Sequence, residues 1–275
     1  MKHLVVTGYA SVDYGVHLAG PIALDTTIHM RRVRTWPRPG GCPFYIARSA
    51  IAAGQNASPV MWVGDDCIGA EICSELRRFG MSDEGIFHVP CARSPASMMV
   101  YQPDGRCACL FDPGPTGQEE LSERQRGVIA AASHLCVSVG PGNLLGPILA
   151  KRQSTTRLYW AVKDDPTCFT GAMRRRLAAE ADVIFCSAAE RHLIPQTSAV
   201  VVETRGSQGI CLCMDGNLTE FAAHTVECVD TTGAGDTFAG GFIAAEMAGR
   251  NADEAVYAGL LAATKLLHER EGSSP

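Results

Sequence analysis

The chain has 275 residues, 46% hydrophobic and 19% charged, a balance that supports a large packed core and excludes a disordered protein. Its net charge of −5 argues against bulk binding to nucleic acid or to an anionic membrane surface. No apolar run approaches the roughly 20 residues of a membrane span. The hydrophobic start at residues 4–7 is too short for a signal peptide, so a cytoplasmic protein is expected.

In chain order, apolar runs at 4–7, 60–63, 135–139, 158–162, 183–186 and 200–204 read as buried strands. Helical patterns at 43–53, 68–79, 123–132, 144–152 and 171–179 lie between them, and two Ala- and Leu-rich helices follow at 235–248 and 253–268. This alternation predicts an α/β fold: a doubly wound, mostly parallel sheet with helices on both faces. Two segments interrupt it. Residues 16–35 read as short extended pieces, with turns at 20–21 and 37–41, and residues 97–101 and 106–111 read as a hairpin turning at Asp104-Gly105. Together, within limits of about 13–38 and 96–111, they predict a small β-sheet lid beside a crevice of one domain spanning 1–275.

Twelve cysteines occur without any Cys-x-x-Cys pair, which removes zinc-ribbon spacing. Cys107 with Cys109, and Cys211 with Cys213, share strand faces and read as structural thiols.

The densest chemistry lies at residues 229–242, Val-Asp-Thr-Thr-Gly-Ala-Gly-Asp-Thr-Phe-Ala-Gly-Gly-Phe. Gly233, Ala234 and Gly235 leave backbone N–H groups uncovered where a helix begins, and such groups suit a phosphate. Asp236 repels that phosphate but can take a proton from a nucleophile attacking it. Taken alone, the run also reads as a glycine-rich turn capped by Asp. Further candidates follow strand ends. Residues 203–212 form strand, glycine turn and strand, with the Thr204 hydroxyl, Gly206 and Gly209 at the turn. Ser187 and Glu190 follow the strand at 183–186, where a carboxylate suits a hard cation or caps the next helix. Ser11 and Asp13 follow the first strand, and Gly40 and Gly41 open a helix containing Tyr45. Residues 63–69 read Val-Gly-Asp-Asp-Cys-Ile-Gly.

These landmarks, from residue 4 to about 265, resemble in order those of the ribokinase-like carbohydrate kinases, the phosphofructokinase-B superfamily. The resemblance implies an ATP-dependent phosphotransferase acting on a hydroxyl of a sugar or sugar-like molecule. In that scheme Asp236 is the general base, and the N–H groups of Gly233, Ala234, Gly235 and Asp236 form an anion hole. Thr204, Gly206 and Gly209 line the nucleotide, and Glu190 holds Mg2+ through water. Ser187 stands where the family usually has Asn. Asp13, Gly40 and Gly41 hold the substrate, with Ser11 at a position where ribokinase itself has Asn. Tyr45 replaces a further Asn, so that it stacks on a substrate ring or narrows the site. Asp230 matches a position that binds a monovalent cation such as K+ in several relatives, and equally reads as a turn residue. Lids of this type pair into homodimers in the family. Arg31, Arg32, Arg34 and Arg38 read as a solvated basic strand, or else select an acidic or phosphorylated substrate.

Two alternatives stand beside the sugar kinase: a nucleoside kinase of the same fold and, more remotely, a non-catalytic ligand sensor. P-loop, protein-kinase and Rossmann dinucleotide signatures are missing from the sequence.

Overall fold

The computed structural model describes residues 2–271 except 34, 227 and 229, so Arg34 and Val229, named above, lie outside the described residues. The chain opens with β1 (Leu4–Thr7), then β2 (Ser11–Leu18), β3 (Met30–Arg32), β4 (Arg38–Gly40), α1 (Cys42–Ala52), β5 (Ala57–Gly64), α2 (Cys67–Arg78) and β6 (Ile86–Val89). It continues with β7 (Ala96–Tyr101), β8 (Cys107–Asp112), α3 (Glu123–Ala130), β9 (His134–Val137), α4 (Gly142–Lys151), β10 (Arg157–Ala161) and α5 (Gly171–Glu180). The last elements are β11 (Val183–Ser187), β12 (Val200–Thr204), β13 (Ile210–Met214), β14 (Asn217–Phe221), α6 (Ala234–Met247) and α7 (Ala252–Glu271).

The large sheet runs β14-β13-β12-β11-β10-β9-β1-β5-β6. From β12 to β6 neighbouring strands are parallel, while β13 and β14 add an antiparallel edge. Strand β1 explains why the sheet is covered on both faces. Leu4 and Val6 enter one core with Phe238 and Phe242 of α6, whereas Val5 enters the other with Trp62, Trp160 and Ile148. Alternating residues of one buried strand thus feed two helical layers. The chain builds β5 and β6 on one side of β1 and returns to β9 on the other. The order therefore reverses between β1 and β9, and the carboxyl ends of strands at such a reversal are where open α/β sheets bind ligands.

The smaller sheet runs β3-β2-β7-β8, with β4 paired to the start of β2. Residues 37–41, expected as a turn, thus contain a strand. The hairpin between β7 and β8 forms at Gly105, whose N–H donates to the Gln102 carbonyl at 2.9 Å. Asp13 of β2 is level with Ser97 of β7, which is level with Phe111 of β8, so these three side chains share one face. Tyr14, Met98 and Leu110 share the other face, where Met98 is 44% and Leu110 60% exposed.

Residues 63–69 are architectural. Asp66 caps α2 through the Gly69 N–H at 2.8 Å and also accepts from the Ser94 N–H at 2.8 Å and its hydroxyl at 2.6 Å. All twelve cysteines are free, and Cys67, Cys91, Cys107 and Cys109 are exposed.

Candidate active site

Helix α6 begins at the carboxyl edge of the large sheet. Its N-cap, Gly233, has φ 74°, and a Cβ there would lie 2.6 Å from the Tyr45 ring, so only glycine fits. The Ala234 N–H, expected to face an anion, donates instead to the Thr231 carbonyl at 3.1 Å. The N–H groups of Gly235 and Asp236 make no backbone hydrogen bond among the described residues, and the space beside Gly235 is open. Of the expected donors, those two stay open to an anion. Asp236 stands in the first turn, and no side-chain cap bond is made there.

The Asp236 charge acts on three groups, the Cys42 and Cys136 thiols and the Lys163 ammonium. The buried Cys42 thiol, at the start of α1, is pushed well up by burial and then by the Asp236 charge. The Lys163 ammonium is pushed up mainly by Asp236, against burial that opposes it, with further help from Cys42 and Glu190. Lys163 lies two residues past β10, after Val162, whose N–H continues the ladder to the Phe185 carbonyl at 2.8 Å. The sequence reading passed over this lysine. Its signal was positional: a lysine one residue past the strand at 158–162, on the edge where ligands bind.

Further along that edge, Glu190 Oε2 accepts from the Ser187 N–H at 2.9 Å and from the Ser187 hydroxyl at 2.7 Å. Ser187, at the end of β11, therefore orients this carboxylate. One Glu190 oxygen is oriented by Ser187, and a carboxylate so held suits a hard cation bound through water, against the like charge of the neighbouring Lys163 ammonium. Among the described residues no cluster of three or more His, Cys, Asp or Glu side chains could cage a metal ion. Thr204 ends β12 and donates to the Cys186 carbonyl at 3.3 Å, leaving its oxygen lone pairs for other donors. The space beside Gly206 is open, whereas a Cβ on Gly209 would lie 2.0 Å from the Phe221 carbonyl, a packing reason for that glycine.

Asp13 is 2% exposed. Its Oδ1 accepts from the Ser11 hydroxyl at 2.8 Å, and Ser11 meets the Ser97 hydroxyl at 2.7 Å. Burial pushes its carboxyl up, and the Ser11 hydrogen bond and Arg38 charge pull against it. A Cβ on Gly40 would fall 2.2 Å from this carboxylate, so β4 must carry glycine there. Gly41 is the N-cap of α1.

Tyr45 is 3% exposed, packs against Gly233, and receives Arg270 Nη2 on its hydroxyl at 3.2 Å. Its ring braces the α6 turn, and burial and then the Asp13 charge push its hydroxyl up. Asp230 is bound by the chain's own donors. Arg38 grips it with both terminal nitrogens, Tyr101 donates at 2.5 Å, Thr232 N–H at 3.2 Å and Arg270 Nη1 at 3.2 Å. Burial pushes its carboxyl up, but the Arg38 bonds and the Arg270 and Arg38 charges outweigh burial and hold it well below the usual carboxylate range. Oδ1 takes four of these five bonds and Oδ2 one, and Arg38 and Arg270 already supply the positive charge that a monovalent metal ion would bring. Arg38 is therefore buried in a pair, while Arg31 and Arg32 are exposed on β3. These three line a cavity of about 660 Å³ whose walls do not include Asp13, Lys163 or Asp236.

A doubly wound sheet with a small β-sheet beside its carboxyl edge, and a carboxylate in an open helix start, defines a small-molecule kinase architecture. The chain belongs to the pfkB family of carbohydrate kinases, whose family model it matches over residues 1–275. It is 28% identical to a cytidine kinase of Thermococcus kodakarensis over 97% of this chain and 96% of that protein. It is 25% identical to an ATP-dependent ribose-1-phosphate kinase of Halopiger xanaduensis over 94% of this chain and 93% of that protein. Among solved structures, a Burkholderia thailandensis nucleoside kinase in complex with inosine superposes with a TM-score of 0.79 at 21% identity, covering 99% of this chain and 94% of that one. No helix among the described residues is long and apolar enough to cross a membrane.

Proposed function

We propose that this kinase moves the γ-phosphoryl group of ATP to a hydroxyl of a sugar or sugar-like molecule, with Asp236 as general base. The observation that carries this reading is one helix turn holding a carboxylate beside two N–H groups without a backbone partner among the described residues, with the carboxylate's charge acting on Lys163. The acceptor oxygen attacks the γ-phosphorus as Asp236 takes its proton. The bond to the bridging oxygen of ADP breaks, and ADP leaves with that electron pair. Gly235 and Asp236 N–H groups and the Lys163 ammonium stabilise charge on the moving phosphoryl oxygens. Thr204, Gly206 and Gly209 line the phosphates of the nucleotide. Glu190, oriented by Ser187, would hold Mg2+ through water, and the ion when bound neutralises phosphate charge. Asp13, with Ser11, accepts substrate hydroxyls beside Gly40 and Gly41. Because Asp13 is buried, the small sheet must lift to admit substrate and closes again to exclude competing water.

One observation favours a nucleoside as acceptor. Phe111 shares the Asp13 face of the small sheet, is 37% exposed, and lies 5.3 Å from the Tyr9 ring. Such an aromatic wall suits a nucleobase beside a ribose gripped by Asp13. The opposite face, with Met98 and Leu110 exposed, is the surface through which we expect two copies to pair.

A panel of ribose, hexoses, sugar acids and nucleosides, read by ATP consumption and by thermal shift, tests the proposal. One acceptor class should both be turned over and raise the melting temperature. Stabilisation by a ligand without turnover of any acceptor would instead support the sensor reading.

A further inference from the structure

The turn that feeds α6 contains a cation supplied by the chain itself. Arg270, on the last turn of α7, directs Nη1 at three oxygens: the Asp230 carbonyl at 3.1 Å, Asp230 Oδ1 at 3.2 Å, and the Thr232 carbonyl. Its Nη2 donates to the Tyr45 hydroxyl at 3.2 Å, and the Tyr45 ring is the surface that Gly233 packs on. One guanidinium thus braces both sides of the residue that starts the helix. Arg38 completes the neutralisation of Asp230, and the Cys228 thiol adds a bond to the Asp230 carbonyl at 3.3 Å. Two turn carbonyls and a carboxylate oxygen converging on one point form a hard-oxygen set of the kind a metal cation takes. Here a planar, permanently charged guanidinium takes it.

We infer that Arg270 is the resident cation of the 230–232 turn, that it positions the Gly235 and Asp236 N–H groups for phosphoryl transfer, and that this kinase therefore needs no monovalent metal ion. The catalytic half of this inference rests on the reading of Asp236 and its neighbours given above. The binding half rests on the Arg270 geometry alone. Arg270 directs its donors at the turn and at Tyr45 and is a positioning residue. Its removal should leave the three oxygens converging on a vacated site that K+ can fill, with Arg38 still in place to pair the carboxylate.

The test compares wild-type enzyme and Arg270→Met in tetramethylammonium buffer with and without ~100 mM KCl at matched ionic strength. Wild-type kcat and KM should agree within about twofold in the two buffers. Arg270→Met should lose roughly 10²-fold in kcat without K+, the scale expected for a displaced catalytic turn. K+ should restore at least tenfold of that loss, with KM for ATP little changed. A second readout needs no catalysis: KCl should raise the melting temperature of Arg270→Met without substrate and leave that of wild type unmoved. Stimulation of wild-type turnover several-fold by K+ would overturn the inference. So would a variant whose melting temperature and turnover ignore K+. Should Arg270→Met fail to fold, the wild-type comparison decides alone. Turnover retained by Asp236→Asn would undo the catalytic reading, while the thermal shift would still decide whether Arg270 fills a cation site.

Discussion

Gly233→Ala is the perturbation whose effect can be worked most fully from the geometry. Gly233 has φ 74°, and an L-residue held there costs about 1–2 kcal/mol. The added Cβ would also fall 2.6 Å from Tyr45 Cδ2, inside the contact distance of any carbon pair. Tyr45 is buried and tied to Arg270, so it cannot swing aside freely, and overpacking of this kind costs about 1–3 kcal/mol. Together these predict a loss of about 2–5 kcal/mol. Unfolding entropy scales at about 2.1 cal/mol/K per residue, so for 275 residues this lowers the melting temperature by roughly 3–8 °C. The displaced turn should also misalign the Gly235 and Asp236 N–H groups and lower kcat by roughly 10²-fold. The assay is a double-mutant cycle with Tyr45→Ala, read by thermal and urea unfolding. In the Tyr45→Ala background only the left-handed cost should remain, about 1–2 kcal/mol. Equal costs in both backgrounds, or an unchanged melting temperature, would refute the claim that Tyr45 and Gly233 form one packed unit.

Lys163→Met should lower kcat roughly 10²–10³-fold, with Lys163→Arg recovering part of it, because a cation beside the transferring group is removed; wild-type turnover in steady-state kinetics would contradict that role. Glu190→Gln should raise the Mg2+ concentration for half-maximal activity by about tenfold or more while leaving the acceptor KM unchanged, as a Mg2+ titration reads directly. Burial lowers the pKa of both His3 and His134, so the unfolded chain binds protons more readily than the folded one. Their contribution is complete above the unfolded value of about 6.5 and is lost as pH falls below it. The melting temperature should therefore drop between about pH 7.5 and 5.5, and a flat profile would contradict the assignment.

The large sheet was legible because fully buried parallel strands read as continuous apolar runs. Residues 4–7 and 200–204 were found with the bounds the structure shows. Strand β14 was missed because four of its five residues are exposed and carry no alternation, and β4 because Pro37, Pro39 and Gly40 read as turn residues. The start of α6 was legible as a string, since glycines and a carboxylate before an apolar helix announce themselves. Which N–H groups stay open was not, because that depends on one turn bond from Ala234 to Thr231. The packing of Tyr45 was not legible for a similar reason: its ring sits against the missing side chain of Gly233, 188 positions away. Arg270 and Asp230 pair across 40 residues, and no local pattern links the last turn of a helix to a loop before the preceding one.

The central claim is that Asp236 removes the acceptor proton, and single-turnover kinetics of Asp236→Asn measure it most directly. The substitution keeps shape and removes basicity, so ATP binding and melting temperature should stay near wild type. The phosphoryl-transfer rate should fall by at least 10²–10⁴-fold, the range expected for loss of a general base. A variant that folds, binds ATP and still transfers phosphate at more than about a tenth of the wild-type rate would contradict it.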